Sequence, residues 1–342
     1  MRSLLSRIFK PSLLMATVVA LAGLQGCATI YKTTGDILVH FSQDQLLPYM
    51  LTYDDVRMGC ITGEAQTPLL MSFQTAGSSP EKLGVMTFTT AAVCAQNKAW
   101  EANLRYLRAI KAGHVSEAQD ARTDEKRWSA LVAERLLKAY RLMMGVYGPL
   151  EDGQCPRLRD DLDQLVWLVG NISGLNALIA DTTADGTVGV PRDMVGKVEQ
   201  HMTCLNNEKW WGAPQGVQAA IWTLLPQLMP EGAQPWKVLR HSEQLGFEKG
   251  VRVSSALYAV SAYSKGDIQK LRQAIRDFAA NDKNLDPKYA MIDAISAQIV
   301  RSLSDQMWTE NTGKRTPLNG LGTFWDDQNS NQPKVNIDDL LK

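Results

Sequence analysis

The chain has no surplus of charge of either sign. Its 342 residues carry 36 Lys and Arg against 36 Asp and Glu, so nothing advertises a nucleic-acid partner. Histidine is scarce. His40, His114, His201 and His241 are too scattered for a metal cluster or catalytic dyad to be proposed from spacing, and each is expected at the surface or at a helix cap. H-E-x-x-H, G-x-S-x-G and the P-loop are missing. "GLGTF" (Gly320 to Phe324) has too few glycines, and no strand precedes it as a nucleotide fingerprint requires. Strand patterns are nearly absent: the one short candidate, "GVMTFTT" (Gly84 to Thr90), lies in a stretch that also reads as helix. Beyond residue 27 no run is long and apolar enough to span a bilayer, which takes ~20 residues. The most apolar stretch, "QLVWLVGNISGLNALIA" (Gln164 to Ala180), carries two asparagines and follows Asp160, Asp161 and Asp163. A buried helix is expected there. Taken together, these absences point away from an enzyme and give no reason to expect a cofactor or a metal.

What is present begins with the first 27 residues. Arg2, Arg7 and Lys10 give a basic start without an acidic residue, and Leu13 to Leu24 (LLMATVVALAGL) is an apolar run. That is the layout of a secretory signal, too short to cross a membrane as a helix. Leu24-Gln25-Gly26-Cys27 closes the run with a small residue before a cysteine, and resembles the bacterial lipobox. The resemblance implies lipidation of Cys27 by palmitate-type acyl chains, removal of residues 1–26, and a stable membrane anchor. Ala28, where an aspartate would favour retention at the inner membrane, implies the periplasm-facing leaflet of the outer membrane. The alternative is an ordinary signal peptide cut elsewhere, with Cys27 a normal thiol. Losing residues 1–26 removes three basic groups and leaves 33 against 36 acidic ones, a net charge of −3.

With Cys27 set apart, Cys60, Cys94, Cys155 and Cys204 remain, an even number for an oxidising compartment. Four cysteines allow three connectivities. Cys60–Cys94 and Cys155–Cys204 are preferred because each pair falls on neighbouring expected helices; four buried thiols are the competing reading. Metal binding is disfavoured, since no two of the four have C-x₂₋₄-C spacing and no histidine sits beside them.

The body reads as helix after helix. Ser79-Pro80-Glu81 and Asp286-Pro287 pair a capping residue with a first-turn proline, and Pro191, Pro214 and Pro235 open further segments. Gly113, Gly148, Gly250 and Gly266 close others. Apolar residues recur three and four apart: Ile268, Leu271, Ile275 and Phe278; Ile292, Ile295, Ile299, Leu303 and Met307; Trp128, Val132, Leu136, Tyr140 and Met143. The expectation is an all-α fold of about ten to twelve helices between Asp54 and Trp308, paired as antiparallel hairpins in a degenerate tetratricopeptide-like (TPR-like) α-solenoid. The alternative is one irregular helical domain without repeat geometry. The corresponding organisation is a signal peptide over 1–26, a lipidated tether over 27–44, the helical body over 45–310, and an irregular segment over 311–342. Phe324 and Trp325 are expected to pack back onto the helices, and the last dozen residues to be disordered.

Two aromatic groups are candidates for ligand or partner binding, because Trp, Tyr and Arg dominate such sites. "KWWGAPQ" (Lys209 to Gln215) puts Trp210 and Trp211 ahead of a helix carrying Trp222. "WTENTGKRTPLNGLGTFWDD" (Trp308 to Asp327) adds Trp308, Arg315 and Trp325. The competing reading is that these tryptophans fill gaps between helices. "DTTADG" (Asp181 to Gly186) has the first half of a calcium loop but Arg192 where its bidentate glutamate belongs, and is read as an interhelical loop. Glu101, Arg105, Arg108 and Lys111 are expected to form a solvated helix face.

Three stretches carry a family resemblance: "DDVRMGCITGEAQTPLLMSF" (Asp54 to Phe73), "AWEANLRYLRAIKAG" (Ala99 to Gly113) and "LSDQMWTENTG" (Leu303 to Gly313). Over roughly residues 45–325 the chain is similar to the T-component lipoproteins associated with TRAP transporters. That resemblance implies a non-enzymatic, TPR-like periplasmic lipoprotein that forms trimers. It further implies docking of a periplasmic solute-binding protein and transfer of a small hydrophobic or organic-acid ligand. The runner-up is a structural assembly factor for an outer-membrane complex, with no small ligand.

Overall fold

The computed structural model describes residues 29–148, 150 and 153–327. Cys27, the signal-like segment 1–26 and the last dozen residues lie outside them. The described chain is all-α, with no strand among its elements. Its first helix, α1, covers residues 29–51 with one π-helical turn at Ser42–Leu46. There follow α2 (Val56–Ser72), α3 (Glu81–Ala112), α4 (Val115–Tyr147), α5 (Asp161–Thr183), α6 (Met194–His201), α7 (Ala213–Leu224), α8 (Pro235–Lys249), α9 (Val253–Ser264), α10 (Ile268–Ala280) and α11 (Ala290–Thr312). "GVMTFTT" lies wholly inside α3, as its helical reading required.

The punctuation follows from local chemistry. Asp55, Asp160 and Asp267 cap α2, α5 and α10 by accepting backbone N–H bonds from Met58, Asp163 and Lys270 at 2.9, 2.8 and 3.0 Å. Pro214 and Pro235 stand in the first turns of α7 and α8. The four glycines expected to close helices all have positive φ.

The longest hairpin, α3 with α4, sets the frame. Its helices have 32 and 33 residues, each about 48 Å long at 1.5 Å per residue. Buried alanines line the facing sides: Ala91, Ala92, Ala95, Ala99 and Ala102 on α3, with Ala118, Ala121, Ala133 and Ala139 on α4. Small side chains let the long helices lie close. The stripe Val132, Leu136, Tyr140 and Met143 is buried against α5 and its neighbours, as its spacing predicts. α5 is the one described helix with the length and hydropathy to cross a membrane, yet two-thirds of its apolar window is buried in the body. It is a core helix. Its Asn171 is satisfied internally, donating to the Trp167 carbonyl (2.8 Å) and bonding to His201 Nδ1 (2.8 Å).

The helices from α2 to α10 pack chiefly on their chain neighbours, whereas α11 packs mainly on α9 and α3 and also touches α1 and α2. One core cluster joins α3 to α7, a second joins α7 to α11 and Phe324, and α7 contributes to both. A small third cluster, Val39, Leu70 and Leu83, seats α1 on the corner between α2 and α3.

Both preferred cysteine pairs are bonded. Cys60–Cys94 joins α2 to α3 with Cα atoms 5.3 Å apart, and Cys155–Cys204 ties the segment before α5 to the end of α6 at 5.4 Å. Beside the first bridge sits Gly63, where α2 meets the backbone of α3. A methyl group there would come within 2.8 Å of the Thr87 carbonyl oxygen and 2.7 Å of the Ala91 nitrogen.

Three sequence expectations are corrected. The tether is helical from residue 29, because Gly35, Val39 and Ser42 make a narrow buried stripe that docks on Phe73, Ser78, Leu70 and Leu83. The buried face of α11 runs through Ser296, Val300, Leu303, Ser304 and Met307, one position from the predicted isoleucine stripe. Ile292, Ile295 and Ile299 are only partly buried. His201 is buried, unlike the other three histidines, and its ring stacks 4.6 Å from Trp167.

Candidate functional site

The structure separates the two aromatic groups. Trp211 has φ 54° and is followed by Gly212 at φ 75°, so the "KWWG" stretch turns through the left-handed region just before α7. Gly212 is required there, since a Cβ would meet the Ser242 carbonyl oxygen at 2.5 Å. The turn swings both indoles inward. Trp210 and Trp211 sit edge to face at 5.3 Å, with Tyr289 4.6 Å from Trp211. Trp210 donates its Nε1–H to Gln164 (3.0 Å) and Trp222 donates to Glu199 (3.2 Å). All three are buried. The rings of these three binding candidates therefore fill the core rather than line an open face, and the Nε1–H groups of Trp210 and Trp222 are satisfied by the protein itself.

The second group seals the C-terminal segment to the body. Trp308 and Trp325 meet edge to face at 5.9 Å, and Trp308 Nε1–H donates to the Thr323 carbonyl (3.1 Å). Phe324 is buried under Arg272 and Arg276, whose guanidinium carbons lie 4.3 and 4.9 Å from its ring centroid. Arg315 bonds Glu101 through both carboxylate oxygens at 3.0 and 2.9 Å. The charged face of α3 is thus engaged rather than merely solvated. Arg108 donates to the Gly313 carbonyl (3.2 Å), Lys111 donates to the Asn311 carbonyl (2.6 Å), and Arg105 pairs with Asp124 (2.9 Å). Cations at the last carbonyls of α11 suit the negative end of its dipole.

"DTTADG" closes α5 as an interhelical loop. The buried Asp181 carboxylate accepts the backbone N–H bonds of Val188 (2.8 Å) and Val190 (2.9 Å), while Asp185 pairs with Lys126 (2.6 Å). Among the described residues no group of three or more His, Cys, Asp or Glu is gathered as a metal set.

A cleft of about 630 Å³ opens where α1, the start of α3 and the end of α4 converge. Asp36, Val39, His40 and Gln43 form one wall. Gln74, Ser79, Glu81 and Lys82 form the second, and Arg141, Leu142, Gly145 and Val146 the third. Most of its charges are already partnered. Lys82 reaches the buried Asp163 (2.6 Å), which also accepts from Tyr147 Oη (2.9 Å) and Arg159 N (3.0 Å). Burial works against the Asp163 charge, but these bonds outweigh it and hold its pKa below the ordinary value. Burial, together with that carboxylate, pushes the Tyr147 phenol up. Asp36 is held low by its bond to Lys32 (2.6 Å). Glu81 accepts from Gln74 (3.0 Å). Arg141 and Gln43 have no side-chain polar partner among the described residues. The cleft thus offers one unpaired guanidinium and an amide to a carboxylate or similar anion. Its residues come from three segments far apart in the chain, so no local motif marks it.

A second polar cluster lies inside the body. Glu243 on α8 is fully buried and accepts from Ser255 Oγ (2.7 Å) and Arg240 (2.5 Å), which also bonds Asp277 (2.6 Å) and lies 4.7 Å over the Tyr258 ring. Burial raises the Glu243 pKa to about 7. Nearby, Arg252 at the N-cap of α9 holds Asp293 bidentately at 2.9 and 2.5 Å and donates to the Phe278 carbonyl (3.0 Å). These buried charges bind α8, α9, α10 and α11 to one another. Two carboxylates converge on Arg240, and no histidine among the described residues bonds to either.

Comparison of the chain with protein-family models, with curated proteins and with solved structures finds no match in any of the three.

Proposed function

We propose that the protein is a non-enzymatic lipoprotein of the bacterial cell envelope, anchored through Cys27 and serving as a binding or scaffold component on the periplasmic side of the outer membrane. The observation that carries this reading is the pair of disulfides, Cys60–Cys94 and Cys155–Cys204. Such bridges persist in oxidising compartments, and here they follow a segment with the layout of an export signal ending at a cysteine. The test is Cys27→Ser in the full chain, followed by membrane fractionation and metabolic acyl labelling. Loss of both is expected; retention of both overturns the anchor.

The finer reading is assistance to a TRAP-type transporter by docking a periplasmic solute-binding protein or receiving its ligand, and it draws on the similarity of residues 54–73, 99–113 and 303–313 to T-component lipoproteins. The cleft beside Arg141 has a volume in the range of small-molecule sites and suits an organic acid. Affinity capture from an envelope extract is expected to recover a solute-binding protein, and light scattering to give the trimer that the similarity implies. Recovery of no specific partner and no ligand overturns it. A second reading, an assembly factor without a ligand, draws on α2. Met58, Ile61, Ala65, Pro68 and Leu69 recur three and four apart on its exposed side, and exposed apolar stripes commonly mark protein contacts. Capture of outer-membrane assembly proteins, lost when Ile61 and Leu69 become serine, favours that reading over transport.

A further inference from the structure

α1 is amphipathic in an unusual sense: its solvent-facing side is apolar. Ile30, Ile37 and Phe41 are 64%, 65% and 54% exposed. With Thr34 between them they fall at i, i+4, i+7 and i+11, one continuous face of a 3.6-residue helix. The Thr34 hydroxyl does not break the stripe, because it donates to the Ile30 carbonyl (2.9 Å). Tyr31, at the edge, is also largely exposed.

The opposite face is fixed to the body. Gly35 sits against Phe73 and Ser78, Ser78 Oγ donates to the Lys32 carbonyl (3.1 Å), and Val39 packs with Leu70 and Leu83. The stripe is therefore held outward by the fold and cannot rotate inward without breaking that seat. Its nearest charges, Lys32 and Asp36, pair with each other (2.6 Å) off the apolar face.

We infer that α1 lies in the plane of a phospholipid surface, with Ile30, Ile37 and Phe41 entering the boundary between headgroups and acyl chains. Lipid is the occupant because of what precedes the helix. Cys27, the residue that the anchor reading acylates, comes two residues before it. An acyl chain on Cys27 would enter the bilayer within about 10 Å of Ile30 along the chain. A helix held that close to the surface with its apolar face outward matches an interfacial helix, which sinks ~5–10 Å into the headgroup region. Tyr31 adds a ring suited to that depth. The choice of lipid rests on the anchor reading above. The consequence is orientation: anchor and stripe together fix the body against the membrane, so the cleft walled by α1 opens beside the bilayer.

The test is photo-crosslinking. The full chain carries Ile37→p-benzoyl-phenylalanine, or Val115→p-benzoyl-phenylalanine as the comparison on an exposed apolar residue of the α3–α4 corner. Each is reconstituted with equimolar phosphatidylethanolamine–phosphatidylglycerol vesicles bearing an alkyne-tagged phosphatidylethanolamine. A lipid adduct at position 37 and none at 115 is expected. A chain acylated at Cys27 that gives no lipid adduct at position 37, or only protein adducts, overturns the inference alone. An adduct without acylation overturns the anchor reading alone. A Cys27→Ser chain, too weakly held to stay with membranes on fractionation, keeps a residual vesicle binding through α1 in lipid titrations, and Ile30→Ser, Ile37→Ser and Phe41→Ser together are expected to weaken that residual binding by about 100-fold. Unchanged binding overturns the inference. All three residues are exposed, so a retained urea midpoint is the expected check on folding.

Discussion

Arg315 grips Glu101 through two parallel hydrogen bonds, joining positions 214 residues apart in the chain. This pair turns the end of the helical array back onto its beginning. With Arg108 and Lys111 holding the last carbonyls of α11, it makes α3 the strip to which the C-terminal segment is fastened. Both partners are substantially solvated, so the pair is worth only ~0.2–1 kcal/mol. A double-mutant cycle with Glu101→Ala and Arg315→Ala is expected to give a coupling in that range that shrinks in high salt. A coupling of several kcal/mol would mean that the segment and α3 form a single buried unit.

The disulfides act on a larger scale. Each closes a loop of 34 or 49 residues, which corresponds to about 3–4 kcal/mol of unfolded-state entropy apiece. Cys60→Ser with Cys94→Ser, and separately Cys155→Ser with Cys204→Ser, are expected to lower stability by that amount in urea titrations. Non-reducing peptide maps should show the remaining bridge intact. Scrambled pairs in the wild-type map would contradict the structure.

Much of this fold was legible in the sequence, for reasons tied to particular residues. The α4 stripe from Val132 to Met143 faces one large core, so its period survives into the structure. Pro214, Pro235 and the closing glycines act locally, and local signals transfer directly. On α11 Leu303 and Met307 are buried as their spacing predicts, but the isoleucines are not, because this helix is packed on several sides and buries Ser296 and Ser304, whose hydroxyls are satisfied by the Ile292 carbonyl and by Thr316 Oγ1. Polar residues in a core hide the apolar period. The sequence over α1 suggests a tether because its fully buried stripe is only Gly35, Val39 and Ser42. The tryptophans looked like a site because an indole is equally suited to a hot spot and to a core, and only the left-handed turn at Trp211 and Gly212 decides between them. The cleft depends on Asp36, Lys82 and Arg141 meeting from three helices, which no local pattern encodes.

Gly63 tests the closeness of α2 to α3. In Gly63→Ala the new methyl group meets main-chain atoms of Thr87 and Ala91, which cannot yield as a side chain could. Overpacking of this kind costs ~1–3 kcal/mol. The urea midpoint is expected to fall accordingly, and the Cys60–Cys94 bridge beside it should become easier to reduce. Gly145→Ala, with nothing within reach of its new methyl group, should not destabilise. Helix propensity alone favours alanine at both positions, so a gain at Gly63 equal to that at Gly145 would show that the close approach does not govern Gly63.

Two buried titratable groups pull stability in opposite directions with pH. Burial depresses His201 to about 4, so the unfolded state, near 6.5, binds the proton first, and stability is lost as pH falls from 6.5 towards 4. Burial raises Glu243 to about 7, so the folded state binds its proton first, and stability is lost as pH rises from 4.5 towards 7. Between pH 4.5 and 6.5 the two slopes oppose each other, each by up to ~1.4 kcal/mol per pH unit. Glu243→Gln is expected to leave the His201 slope uncovered, so its stability should climb with pH across this window more steeply than wild type. His201→Gln should fall with pH instead. The measurement is urea unfolding at half-unit steps of pH. Parallel profiles for wild type and both variants would show that neither group changes its proton affinity on folding.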